Sequence, residues 1–170
     1  MCTLRARPCR HAVGDRWQVD ETYVKAAGQW RYVYRAIDQF GQVIDVFISP
    51  QRDAQAARRF FERAITTTKI TPVEVVTDKA AAYPAMLDEL LPGAWHRTDR
   101  YANNHIEADH GRLKARLGPM RGLKQDCSAR VIIAGHALVK NVRRGHYELA
   151  VEEQVGRRMA VAFDELALVV

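Results

Sequence analysis

The stretch Arg16-Trp-Gln-Val-Asp-Glu-Thr-Tyr-Val-Lys25 decides the fold. Trp17, Val19, Glu21 and Tyr23 alternate with Gln18, Asp20, Thr22 and Val24, a period of two that reads as a β-strand with Asp20 on the face opposite Trp17 and Val19. Lys25-Ala-Ala-Gly28 turns the chain. Trp30-Arg-Tyr-Val-Tyr-Arg-Ala-Ile-Asp38 is rich in aromatic and β-branched residues and reads as a second strand. Gln39-Phe-Gly41 turns again, and residues 42–49, with Val43, Ile44, Val46, Phe47 and Ile48, make a third. Three strands joined by tight turns form an antiparallel meander.

Outward from the meander the period changes. Pro50 ends it, and Asp53 stands where it can cap a helix over 54–67, whose Ala57, Phe60, Phe61, Ala64 and Ile65 follow helical spacing. Pro72 precedes Val73-Glu-Val-Val-Thr77, a short β-branched strand with Asp78 at its end. The pattern predicts a second helix over 80–91, closed by Pro92-Gly93, and a brief fifth strand over 94–98. The next helix runs through Asn103–Lys114 and stops near Gly118-Pro119. A long helix over 128–147 presents Val131, Ile132, Ala134, Leu138, Val139 and Val142 as its apolar face. This order, βββαβαβα plus a helix, is α/β. It implies a mixed five-stranded sheet, its first three strands antiparallel, with helices on both faces. Residues 1–13 read as a flexible lead, 14–150 as the domain, and 151–170 as a tail of helical character.

The helix through Asn103–Lys114 has a distinctive wheel. At about 100° per residue, Ile106, His110, Leu113 and Leu117 share an apolar stripe, and Glu107, Gly111 and Lys114 lie together beside it. A glycine inside a helix costs about 1 kcal/mol against alanine, which points to a close approach there. An ordinary surface helix with a Glu/Lys pair accounts for the same pattern.

The 170 residues suffice for one domain with a real core, and the apolar content is that of a globular chain. No apolar run is long enough to cross a membrane, and the basic start lacks the apolar segment of a signal peptide. The expectation is a cytoplasmic protein. The net charge of +6 favours nucleic acid as partner, and basic residues recur in 52–63, 97–100, 112–124 and 140–144 rather than in one tail. Three cysteines, Cys2, Cys9 and Cys127, read as free thiols. The scattered His96, His105, His110 and His136 read as packing or hydrogen-bonding groups, and Trp17, Trp30 and Trp95 as core.

Three acids sit where such a fold can gather them. Asp20 is in the first strand, Asp78 closes the fourth, and Glu107 lies on the following long helix. If the first and fourth strands are neighbours, Asp20 and Asp78 stand side by side and call for a cation. Hard carboxylate oxygens favour Mg²⁺ or Mn²⁺, and two such ions about 3.5–4 Å apart support phosphodiester chemistry. Asp78 could instead cap the following helix, and Glu107 could be a surface ion-pair partner. Asp38, Asp45, Asp53, Asp88 and Asp109 are rivals that periodicity does not exclude.

Residues 16–25 and 30–38, together with Val76-Thr-Asp-Lys79 and Tyr101-Ala-Asn-Asn-His-Ile-Glu-Ala-Asp-His-Gly-Arg-Leu-Lys114, resemble the IS6 family of insertion-sequence transposases from about Gly14 to Leu149. The resemblance implies an RNase H-like fold and a DDE triad, here Asp20, Asp78 and Glu107, using two Mg²⁺ or Mn²⁺ ions. It implies DNA strand cleavage and transfer on the element's ends and on target DNA, by a homodimer at the bacterial nucleoid. The family's basic residue seven positions after the glutamate matches Lys114. Lys79, Arg112, Arg121 and Lys124 are the further candidates for DNA contact. The interval from Asp78 to Glu107 is shorter than in many relatives, which places the loss in the connection over 91–98. About fourteen residues precede the first strand, so the family's usual N-terminal helix-turn-helix is expected to be absent. Two other readings stay open: a non-catalytic remnant that binds DNA or pairs with full-length transposase, and a plain RNase H-like nuclease.

Overall fold

The computed structural model describes residues 9–98, 104–120 and 123–168, apart from the side chains of residues 104 and 105. The meander forms as the alternation predicts: β1 (Arg16–Ala26), β2 (Gln29–Asp38) and β3 (Val43–Ser49). The chain continues through α1 (Ala54–Thr68), β4 (Glu74–Val76), α2 (Pro84–Leu90), β5 (Trp95–Arg97), α3 (Asn104–Leu117), a 3₁₀ turn (Gly118–Met120), α4 (Asp126–Arg143) and α5 (Val155–Leu168). One mixed sheet runs in the order β3-β2-β1-β4-β5. β1 pairs antiparallel with β2, β2 antiparallel with β3, and β4 lies parallel to both β1 and β5. β1 is thus the central strand, and its C-terminal half extends beyond the end of β4.

Helices cover both faces, and β1 divides its burial between them. Trp17 and Val19 pack with Phe60 and Phe61 of α1 and Met86 and Leu87 of α2. Val24 and Ala26, nearer its end, pack with Leu113 and Leu117 of α3 and Ala129 and Ile133 of α4. The strand changes its buried face between these halves, and Asp20 and Glu21 stand half-buried at the change. α5 closes over α4 through Leu138, Val142 and Ala162. Among the described residues no helix is long and apolar enough to cross a membrane.

Several boundaries differ from the sequence reading, each for a local reason. The 80–91 helix starts only at Pro84, because a proline without an N–H suits the first helical position and Ala80–Tyr83 is used as a turn. The 128–147 helix ends at Arg143, since Gly145 takes φ 79°, the left-handed conformation that stops a helix. Its buried face includes His136, Lys140 and Asn141, so Val131 is exposed. Apolar residues alone therefore misplace the way α4 turns. Trp17 is core, but Trp30 and Trp95 are exposed. Trp30 lies edge-on to Tyr23, and Arg97 stacks over Trp95. Residues 9–11 of the lead are pinned: Arg10 donates to the carbonyls of Val43 and Ile44, and His11 N–H donates to the His146 carbonyl.

Candidate active site

Parallel pairing of β1 with β4 sets Gln18 opposite Val76. The same offset carried two residues further sets Asp20 opposite Asp78, just past the end of β4. Carboxylate oxygens of Asp20, Glu21 and Asp78 all lie within 4.8 Å of one another. Asp20 Oδ1 accepts from the Glu21 N–H at 2.8 Å, and Oδ2 faces His110 Nδ1 of α3 at 3.4 Å. Asp78 Oδ1 accepts from the Ala80 N–H at 3.0 Å, and Oδ2 faces the Arg52 guanidinium at 3.4 Å. Asp78 therefore both caps the turn after β4 and joins the acidic cluster.

Glu21 is a member of the cluster that the sequence reading misses. Its side chain points to the α1/α2 face, where Arg52 donates to one oxygen and the Tyr83 hydroxyl to the other. Burial and the Glu21 charge push the Tyr83 phenol well above its usual pKa of 10, so it stays protonated and keeps donating. Arg52 spans Glu21 and Asp78 and offsets part of the carboxylate repulsion. Alternation assigns Glu21 to the face away from Asp20. The signal for it is its adjacency to Asp20 at the point where the strand changes its buried face.

Glu107 is exposed in the first turn of α3, outside the close cluster. It stands one helical turn before His110, the residue that faces Asp20, so the two lie on the same side of the helix. Lys114 holds its ammonium 4.4 Å from the centre of the Tyr23 ring, over the extended half of β1. Lys79 is exposed beside Asp78, and Lys124 is exposed ahead of α4. Arg112 is exposed on the other edge of α3, away from Glu107, and Arg121 lies outside the described residues.

Most rival acids have other work. Asp109 is fully buried and bridges Arg35 of β2 and Lys140 of α4. Asp38 accepts from the backbone N–H groups of Gly14, Phe40 and Gln42, Asp53 caps α1, and Asp45 pairs with Arg63. His110 is buried on the apolar side of α3, as its place on the stripe predicts, and also touches the site. The donor set is all carboxylate oxygen, which suits a hard divalent cation rather than zinc or copper.

A family model described as a DDE domain matches residues 14–146. The transposase of the insertion sequence-like element IS431mec of Staphylococcus aureus is 37% identical over 106 residues, 59% of this chain and 47% of that protein. The transposase of IS257 in transposon Tn4003 of Staphylococcus aureus matches with the same figures. The chain thus spans about half the length of these relatives. Among solved structures, the HTLV-2 integrase catalytic core domain in complex with magnesium superposes with TM-score 0.59 at 20% identity, over 79% of this chain and 89% of that one. A chain of the simian T-cell lymphotropic virus intasome in complex with PP2A regulatory subunit B56 gamma gives TM-score 0.58 at 19% identity, over 73% of this chain and 49% of that one. The fold is RNase H-like, a mixed five-stranded sheet with helices that superposes on integrase catalytic cores.

Proposed function

The chain belongs to the DDE domain family, among the insertion-sequence transposases of the IS6 type, and from that premise we propose that it cleaves and transfers DNA strands with Asp20, Asp78 and Glu107 as its catalytic carboxylates. The observation that carries this reading is the juxtaposition of Asp20 and Asp78 across two parallel strands, with α3 docked on Asp20 through His110. Two Mg²⁺ or Mn²⁺ ions, when bound, supply activation of an attacking oxygen and stabilisation of a leaving oxygen at phosphorus.

The residues of the chain do the positioning. Asp20 and Asp78 offer oxygens from a rigid sheet, and Glu107 comes from the neighbouring helix. His110 fixes the angle of α3 against β1. Arg52 holds Asp78 and Glu21 together. Lys114 and Lys79, with Lys124, Arg112 and Arg121, meet backbone phosphates without reading sequence. One site serves both steps, because hydrolysis and strand transfer are each attack by an oxygen on phosphorus. The substrates are the ends of an insertion sequence and target DNA at the bacterial nucleoid, and the working unit is a homodimer.

The test is cleavage and strand transfer on labelled DNA carrying the element's ends, with Mn²⁺, by the chain and by Glu107→Gln. The expected result is no product from the variant with DNA affinity retained. Loss of both activity and binding would make Glu107 structural. Inhibition of a full-length relative, with no cleavage by the chain itself, would support the non-catalytic reading instead.

A further inference from the structure

A cavity of about 280 Å³ opens between α3 and α4, on the side of α3 turned away from the acids. Arg112 and Arg116 of α3, His136, Lys140 and Arg143 of α4, and Arg144 just past its end line it, and among the described residues Asp109 is the one carboxylate in its wall. At about 100° per residue, Asp109, Arg112 and Arg116 lie roughly 140–200° around α3 from Glu107. The body of the helix therefore separates this cavity from the acidic site.

Its charge is unbalanced. Asp109 is already shared by Lys140 and the fully buried Arg35 behind it. The Arg144 guanidinium donates to the Gly41 carbonyl, a neutral partner. Arg112, Arg116 and Arg143 have no side-chain ion pair among the described residues. Converging cations in a partly desolvated pocket repel one another, and an anion relieves that cost. A second observation points the same way. His136 lines the cavity, is more than nine-tenths buried, and has neither ring nitrogen hydrogen-bonded. Burial, followed by the charges of Arg35, Arg116, Lys140 and Arg112, pushes this imidazole down to about 4.

We propose that this cavity is a second phosphate-binding site, which holds a backbone phosphate of DNA on the far edge of α3 while the carboxylates engage the reacting one. The DNA source rests on the function proposed above; phosphate recognition by the pocket does not. Forked guanidinium groups suit a tetrahedral oxyanion, and two of them, Arg112 and Arg116, stand on the exposed rim where a strand crossing α3 would pass.

The test titrates inorganic phosphate into the whole chain and follows the His136 imidazole signals by NMR, with His96 as internal control. It is repeated on the double variant Arg112→Gln/Arg116→Gln. Both residues are exposed, so the variant should fold, and its melting temperature checks that. The expected result is saturable movement of His136 alone, with affinity about a hundredfold weaker in the double variant, since it removes two charge-assisted bonds each worth roughly a decade. Duplex DNA binding should weaken in the same variant, with a salt slope shallower by about 0.9 for each phosphate that is no longer neutralised. Glu107→Gln should bind phosphate like the parent, which separates failure of this proposal from failure of the catalytic one. No saturable response, or an equal response in the double variant, would overturn the site. Phosphate binding that disappears without any change in DNA affinity would overturn the DNA source and leave a site for a free phosphate compound.

Discussion

At the scale of single residues the acids of this chain separate by environment. Glu107 is exposed on the rim of α3, and Asp109, two positions on, is buried between Arg35 and Lys140. Asp109→Asn should therefore cost about 3–5 kcal/mol of unfolding free energy, because it strands two buried cations. Glu107→Gln should stay within about 0.5 kcal/mol, as surface changes usually do. Urea denaturation of both variants checks the contrast. The candidate acids Asp20, Asp78 and Glu107 stand out in the sequence because family motifs flank each of them, and the structure brings Asp20 and Asp78 together. The burial and partners of acids are not legible there, since pairings such as Asp109 with Arg35 and Lys140 join residues far apart in the chain. A second residue-scale consequence concerns pH. His136 titrates near 4 in the folded chain against 6.5 unfolded. Between those values the unfolded chain takes up a proton that the folded chain refuses. This contribution is fully present above pH 6.5 and is lost as pH falls toward 4, up to about 3 kcal/mol. Denaturation midpoints across pH 4–8 should show this fall, and His136→Gln should flatten it.

At the scale of elements, α3 presents three different edges. Ile106, His110 and Leu113 are buried, Glu107 and Lys114 lie on an exposed edge with Lys114 over the Tyr23 ring, and Arg112 and Arg116 edge the basic cavity. A Cβ at Gly111 would meet nothing within 4 Å among the described residues, so their packing does not require this glycine. Gly111→Ala should raise stability by about 0.5–1 kcal/mol through helix propensity alone. If DNA approaches the helix there, the same change should weaken duplex binding; thermal melts and a binding titration on one preparation read both effects. The strands and α1 are legible because alternation and the Asp53 cap are local signals. The start of α2 and the end of α4 are less so, because Pro84 and Gly145 compete with an apolar pattern that runs on past them.

At the scale of the whole molecule, the meander and the alternating α and β segments imply a mixed sheet, but not which strands touch. The order β3-β2-β1-β4-β5 supplies that, and the parallel pairing of β1 with β4 is what sets Asp20 opposite Asp78. The position of Glu107 follows from α3 docking on the sheet, with His110 and Leu113 against β1 and Ile106 packed with Ile37 of β2 and Val43 of β3. Fold and site are thus one arrangement: moving β4 to any other edge would scatter the acids. On the proposed function, Asp20, Asp78 and Glu107 form one divalent-cation site. Calorimetric titration of Mn²⁺ into the chain, and into Asp20→Asn, Asp78→Asn and Glu107→Gln, tests it most directly. The expected result is saturable binding that weakens in all three variants while their folds persist. Binding indifferent to Asp20 and Asp78, or no binding with DNA present, would contradict it.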